Sequence, residues 1–318
     1  MNVGFIGSSA ISDFHLSTMN NNGFKVGAIG TRKNSESCMA FAKKNNLINE
    51  YCSNGWEEVI DKDLDAYIVC VNIKSNFEIL KKCLEKNKPT FVEKPVDFEL
   101  SKMKNLCEHK NAKNIFVGYN RRFYDSILEL KYLCEKSFGG TVVANIPDSI
   151  CGVKQFIQNG CHIIDILRYC CGDFEILSKT VEVNKEKNDL NSISALCKNN
   201  KWTILINAHS LIPANFSITV NSSNNVYELK PIENLNVYEG MEIIEPNPEI
   251  PIRKYVPKLK RSILENAKFK PGFDAMYKNF KLFIEKKESI YCSILDAKET
   301  LNICRSLIES KFQNNYLI

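Results

Sequence analysis

The stretch that most limits the fold is the opening fifteen residues, Met1 to His15, MNVGFIGSSAISDFH. Asn2–Ile6 is a short apolar run the size of one buried strand. Gly7-Ser8-Ser9-Ala10-Ile11-Ser12 follows, and a helical pattern starts after it. Strand, small-residue turn and helix in succession is how a doubly wound sheet begins, and the amides at such a helix start point at bound phosphates. The turn needs a residue without Cβ, which Gly7 supplies. Small side chains at Ser9 and Ser12 let backbone approach a pyrophosphate and let the helix pack on the strand. Gly7, Ser8, Ser9, Ala10 and Ile11 are therefore a candidate dinucleotide-binding turn. The pattern reads Gly-x-Ser-x-x-Ser instead of Gly-x-Gly-x-x-Gly. Alone, it also describes a strand-turn-helix with no ligand.

The chain beyond supports the ligand. Residues 24–31, FKVGAIGT, read as a second strand, completing a βαβ unit. An acidic residue after it would bind a ribose 2′-hydroxyl. Thr31-Arg32-Lys33 stand there instead and suit a 2′-phosphate, favouring NADP over NAD. Arg32 can also stack on adenine; the plain alternative is a pair of surface charges. Ser35 to Asn45 reads as a helix, Leu47–Tyr51 as a short strand, and Phe77–Lys86 as a helix. Asp65–Val71 is an almost unbroken apolar run, as in a strand buried on both faces. Thr90–Val92 is another strand and ends in Glu93-Lys94-Pro95. Ligands of such sheets sit off the carboxyl ends of the strands, so Lys94 faces a bound cofactor, where it can donate or accept a proton. Ile115–Tyr119 is the last strand of the series, followed by Asn120 and Arg121, and the alternation then stops. This predicts a Rossmann domain over 1–119 and a second domain over 120–318.

Composition narrows the function. A chain of 318 residues predicts two domains with cores of their own. A net charge of +5, spread and interleaved, does not indicate nucleic-acid binding and is compatible with an anionic small molecule. No apolar run reaches the length of a membrane span, and Met1 leads straight into a strand rather than a signal peptide. Thirteen cysteines without a Cys-x-x-Cys spacing read as reduced thiols of a cytoplasmic protein. With four histidines dispersed among them, no metal site is expected.

In the second half, Gly160–Cys171 has helical spacing and stops at Gly172, with His162 in the first turn and Asp165 one turn on. Strands follow over Thr180–Asn184, Ser192–Cys197, Trp202–His209, Phe216–Asn221 and Asn225–Pro231, a meander with alternating faces. Pro246 to Pro257 reads as an extended connection. The basic run from Arg253 to Lys270 is either a solvated face or a cover that binds a diphosphate. Helices are expected over Phe273–Lys286 and Ile294–Ser310.

Together these landmarks resemble the glucose-fructose oxidoreductase / inositol dehydrogenase / rhizopine catabolism (Gfo/Idh/MocA) family of NAD(P)-dependent oxidoreductases. The residues that carry it are Gly7-Ser8-Ser9-Ala10-Ile11 with His15, Glu93-Lys94-Pro95, Gly118-Tyr119-Asn120-Arg121-Arg122-Phe123, the helix Gly160–Arg168 and the segment Ser293–Leu301. The resemblance implies an N-terminal Rossmann sheet and a C-terminal α+β domain with a large, mostly antiparallel sheet, used for a homodimer or homotetramer. It implies a substrate site between the domains. Lys94 matches the family's catalytic lysine and His162 its catalytic histidine, with Asp165 beside it. Thr31, Arg32, Val71, Asn72, Asn76, Glu93, Lys94 and Asn120 join the opening turn on the cofactor. Lys94, Tyr119, Arg121, Gln158, Asn159 and His162 fall to the substrate. Two departures stand out. Gln158 occupies a place where the family often has Asp, and Val71-Asn72-Ile73-Lys74-Ser75-Asn76 replaces its usual Thr-Pro and His. The implied activity is hydride transfer between nicotinamide and a carbinol or keto carbon of a sugar, such as a nucleotide sugar or an amino-sugar precursor. The alternatives are a lyase or epimerase using transient oxidation, and a dinucleotide-binding regulator without catalysis.

Overall fold

A computed structural model describes residues 1–150, 152–265, 268–287, 289 and 291–309. The chain divides into two compact units, Met1–Phe123 with Ala267–Asn302, and Tyr124–Asn266 with Ile303–Ile318. A single cut after residue 119 therefore does not describe it: the stretch after the large sheet returns to the first unit.

The first unit alternates strand and helix: β1 (Asn2–Ile6), α1 (Ala10–Asn21), β2 (Lys25–Gly30), α2 (Glu36–Lys44), α3 (Trp56–Asp61), β3 (Ala66–Val69), α4 (Ile73–Glu85), β4 (Thr90–Val92), α5 (Leu100–Glu108) and β5 (Ile115–Val117). The strands form one parallel sheet in the order β2-β1-β3-β4-β5. β3, β4 and β5 are buried at every position, which explains their unalternating apolar sequence. The order reverses between β1 and β3, and the crevice at such a reversal is where this class of sheet binds its ligand.

Leu47–Tyr51 is not a strand. Ile48–Glu50 is a 3₁₀ turn, and pairing with the sheet is limited to one bridge, Ile29 to Tyr51. Asn46, with φ of 58°, turns the chain before a ladder can form. α4 starts four residues earlier than its apolar pattern indicates, because Asn72 caps it by accepting from the Lys74 amide at 3.1 Å.

The second unit opens with α6 (Asp125–Lys136), β6 (Gly140–Asp148), α7 (Val153–Gln155) and α8 (Cys161–Cys171). β7 (Glu175–Asn184), β8 (Asp189–Lys198), β9 (Trp202–Ser210), β10 (Ser217–Ser222), β11 (Asn225–Leu229), β12 (Asn234–Ile244) and β13 (Lys254–Leu264) follow. Eight strands make one sheet, β13-β12-β11-β10-β6-β9-β8-β7, antiparallel except for β6 beside β9. β9 alternates strictly, with Trp202, Ile204, Ile206, Ala208 and Ser210 buried and the residues between them exposed. Most of the basic run lies on β13, an exposed edge strand, which also takes in residues 254–257 of the expected extended connection. Three of the run's charges are met by neighbours: Arg253 pairs with Glu245, Lys260 with Glu239 and Arg261 with Glu129.

α9 (Phe273–Ile284) and α10 (Ile294–Ile308) finish the described chain; Ser310, the expected end of α10, lies outside the described residues. α9 belongs to the first unit because Phe273, Met276, Tyr277 and Phe280 are fully buried in the core formed by Phe5, Phe24, Phe91 and Phe116. Burying each such side chain is worth about 1.5–3 kcal/mol, enough to hold a single helix to the sheet.

Candidate functional site

Gly7 closes the turn after β1 directly against the end of β3. A Cβ added there would lie 2.5 Å from the Cys70 carbonyl oxygen and 3.0 Å from the Cys70 Cβ. Only glycine lets the two strand ends meet at the reversal point of the sheet. Ser9 caps α1, and its amide donates to Ser12 Oγ at 3.1 Å. Ser12 is fully buried, as helix-to-strand packing requires. The turn thus keeps the small-residue cradle and the helix start that suit a dinucleotide's phosphates. Ser8, Ala10 and Ile11 remain at least partly accessible around it.

Thr31 and Arg32 follow β2. The Thr31 carbonyl accepts from the Trp56 amide at 2.7 Å, while Arg32 is exposed. Val71 and Asn72 follow β3, with Asn72 exposed at the start of α4. Asn76 is placed differently. It is 1% exposed, and its Nδ2 donates to the Val96 carbonyl at 2.9 Å. Its amide ties α4 to the segment after Pro95, so the structure gives Asn76 an interior position.

Glu93-Lys94-Pro95 begins on the last rung of the sheet, where the Glu93 amide donates to the Val69 carbonyl at 3.0 Å. The Glu93 carboxylate is fastened at both oxygens. Oε2 accepts from the Lys94 amide at 3.2 Å, and Oε1 lies 2.9 Å from His15 Nε2. His15 is fully buried on α1, and its Nδ1 lies 2.7 Å from the Tyr277 hydroxyl. Burial pushes the Tyr277 phenol well above its usual range, so it stays protonated. In the neutral imidazole one tautomer satisfies both neighbours: Tyr277 donates to Nδ1, and Nε2–H donates to Glu93. A chain from α9 through α1 thereby fixes the backbone that carries Lys94. Lys94 itself is partly exposed.

Tyr119 is buried and Arg121 partly exposed. Asn120 is buried, with Nδ2 donating to the Pro271 carbonyl at 3.0 Å. That amide thus holds the segment leading into α9.

In the second unit, His162 and Asp165 are both buried in the first half of α8, a helix ended by Gly172 with φ of 83°. Gln158 and Asn159 lie in a wide turn, Phe156–Gly160, just before it. Asn159 Nδ2 donates to Asp148 Oδ2 at 3.1 Å, and Gln155 Nε2 donates to Oδ1 of the same carboxylate at 3.1 Å. Asp148, at the end of β6, is a polar centre that the sequence pattern did not reveal. With Asn159, Pro213 and Asn215 it lines a cavity of about 500 Å³. Among the described residues no cluster of His, Cys, Asp or Glu could hold a metal ion. No helix of the described residues is long and apolar enough to cross a membrane.

Residues 1–120 match the family model GFO_IDH_MocA, described as an oxidoreductase family with an NAD-binding Rossmann fold. That match lies within the first unit and covers 120 of the 318 residues. A myo-inositol 2-dehydrogenase of Thermotoga maritima is 30% identical over 130 residues, which cover 37% of this chain. The match spans about two fifths of that relative's length, 39%. The likeness to solved structures reaches beyond the first unit. A dehydrogenase from Clostridium difficile superposes with a TM-score of 0.78 at 17% identity, covering 98% of this chain and 99% of its own. A super-repressor mutant of Gal80p from Saccharomyces cerevisiae superposes with a TM-score of 0.73 at 16% identity, covering 98% and 95%.

Proposed function

We propose that this chain is a member of the Gfo/Idh/MocA family and an NAD(P)-dependent oxidoreductase acting on a carbinol or keto carbon of a sugar or polyol, with nucleotide sugars within its range. The observation that carries this reading is the fastening of Glu93 by His15 and Tyr277. It fixes the Lys94 backbone at the carboxyl end of β4, next to the reversal point of the sheet. A bound nicotinamide dinucleotide would accept or give the hydride. Gly7, Ser8, Ser9, Ala10 and Ile11 would hold its phosphates. Thr31 and Arg32 would meet the adenosine ribose, and Arg32 favours a 2′-phosphate there, hence NADP. Val71, Asn72 and Glu93 complete the cofactor side.

Lys94 takes or returns the hydroxyl proton of the substrate, and its ammonium steadies the oxyanion. His162 is the second proton-handling group, and Asp165, one turn on, orients it. Tyr119, Arg121, Gln158 and Asn159 are assigned to substrate recognition. The uncovered face of the eight-stranded sheet, with Leu205 and Leu177 exposed, supports a homodimer or homotetramer. The described cysteines are thiols rather than disulfides, in keeping with a cytoplasmic protein.

The test is reduced-nicotinamide absorbance with a panel of polyols, sugars and nucleotide sugars. Lys94→Ala and His162→Ala should each lower turnover by about 10²-fold or more while dinucleotide affinity stays within about twofold. Full activity in both variants would sink the assignment. The likeness to Gal80p favours one second reading, a dinucleotide-binding regulator. Dinucleotide binding with no turnover on any member of the panel would select it.

A further inference from the structure

Lys270 was read in the sequence as one charge in a basic run. The fold separates it from Lys254, Lys258, Lys260 and Arg261, which lie on the solvated edge strand β13. Lys270 lies in the segment before α9, which Asn120 holds through the Pro271 carbonyl at 3.0 Å. The ammonium of Lys270 sits against two aromatic rings, 5.3 Å from the centroid of Phe14 and 5.3 Å from that of Phe273. Lys270 is exposed and Phe14 is 48% exposed, so the cation is open to a ligand on its Phe14 side, while Phe273 is buried beneath it. Phe273 in turn packs on His15, ring centroids 4.8 Å apart. Lys270 therefore borders the His15–Glu93 pair from the accessible side.

The charges around it are unequal. Lys270 feels Glu93, Lys94 and Arg121. Glu93 is the one carboxylate of the group, and both its oxygens already accept from His15 and Lys94. Among the described residues no carboxylate forms an ion pair with Lys270. Loss of water around its ammonium, the largest effect, with the like charges of Lys94 and Arg121 behind it, lowers its pKa. A cation so placed gains most from an anionic partner that arrives with the ligand.

We propose that Lys270, with Arg121, anchors an anionic group of the substrate, a carboxylate or phosphate on a sugar, beside Lys94. The site would then select acidic or phosphorylated sugars over neutral polyols. This inference rests on the oxidoreductase reading only for the fate of the ligand; the anion preference stands by itself. Lys270 would be a specificity-determining residue, with Phe14 and Phe273 fixing where its ammonium rests.

Equilibrium binding to the full-length protein tests it, by calorimetry with D-glucuronate, D-glucose 6-phosphate and D-glucose, with and without saturating NADH. The parent should bind at least one charged sugar about tenfold or more tighter than D-glucose. In Lys270→Ala that preference should fall at least about tenfold, Lys270→Arg should keep most of it, and Lys268→Ala should leave it intact. Circular dichroism and thermal melting establish that each variant is folded. D-glucose bound as tightly as both charged sugars, or a preference unchanged in Lys270→Ala, would overturn the inference. A loss confined to NADH affinity would assign Lys270 to the cofactor's phosphates and overturn it equally. The oxidoreductase reading fails separately: no absorbance change at the nicotinamide with any sugar, while the charge preference and its loss in Lys270→Ala persist.

Discussion

His15 Nε2 and Glu93 Oε1 lie 2.9 Å apart, joining the first helix of the chain to the tripeptide that carries Lys94. The residues are 78 positions apart in the chain. Tyr277 on α9 completes the pair by holding the other ring nitrogen. Three elements of the sheet unit thus converge on one backbone segment.

Removing the phenol should expose what the network is worth. Tyr277→Phe leaves the buried His15 Nδ1 without its donor, and urea unfolding should report a loss of about 1–3 kcal/mol. Glu93→Gln should cost less than Glu93→Ala, since an amide oxygen can still accept from Nε2–H. Equal stability of parent and Tyr277→Phe would show that the hydrogen bond is dispensable.

Gly7→Ala places a methyl group 2.5 Å from the Cys70 carbonyl oxygen, where backbone on both sides must shift. The expected cost is about 1–3 kcal/mol in stability, together with weaker dinucleotide binding. Thermal melting and NADH fluorescence titration measure the two effects. A variant with unaltered affinity would remove the turn from the cofactor site.

Arg32 is exposed just after β2. If it meets a 2′-phosphate, Arg32→Ala should weaken NADPH by about tenfold, the worth of a charge-assisted contact, and leave NADH within about twofold. Parallel titrations of both dinucleotides decide this. A uniform effect on the two would rule out 2′-phosphate recognition.

Asp97 is 4% exposed, and its Oδ2 has no hydrogen-bond partner among the described residues. Desolvation raises its pKa above the ordinary aspartate value. The folded state then holds its proton more tightly than the unfolded chain, so this group's contribution to stability falls as pH rises through the raised value. Asp97→Asn keeps an oxygen for the Glu99 amide, which Oδ1 now accepts at 2.9 Å. The variant should be about 0.5–1 kcal/mol more stable at pH 7, an advantage that shrinks on acidification through the aspartate range. Denaturant melts at neutral and acidic pH would reveal the opposite trend if the carboxylate were stabilising.

Much of the first unit was legible because its signals are local. Buried parallel strands must be apolar on both faces, so the runs around Ile68, Phe91 and Phe116 announced themselves. Strand ends with small or charged residues located Gly7 and Lys94. The second sheet was harder. β13 is exposed along nearly its whole length and carries no alternation, so its sequence read as the end of an extended connection and part of a basic run, not as a strand. β12 and β6 went undetected for a related reason: strand pairing is satisfied by neighbours distant in the chain, which local pattern does not encode.

By itself, then, the sequence pointed to the class of the fold and to a candidate cofactor turn, since backbone freedom at Gly7 and strand periodicity are properties of short segments; Lys94 and His162 came forward as proton-handling candidates through the family resemblance. Only the tertiary structure decided how those segments are held. It paired His15 with Glu93 and Tyr277, sent the Asn76 amide inward to Val96, returned α9 to the first core and set Lys270 between Phe14 and Phe273. Each of these depends on contacts between residues far apart in the chain, fixed when apolar surfaces are buried together and the polar groups among them must find partners.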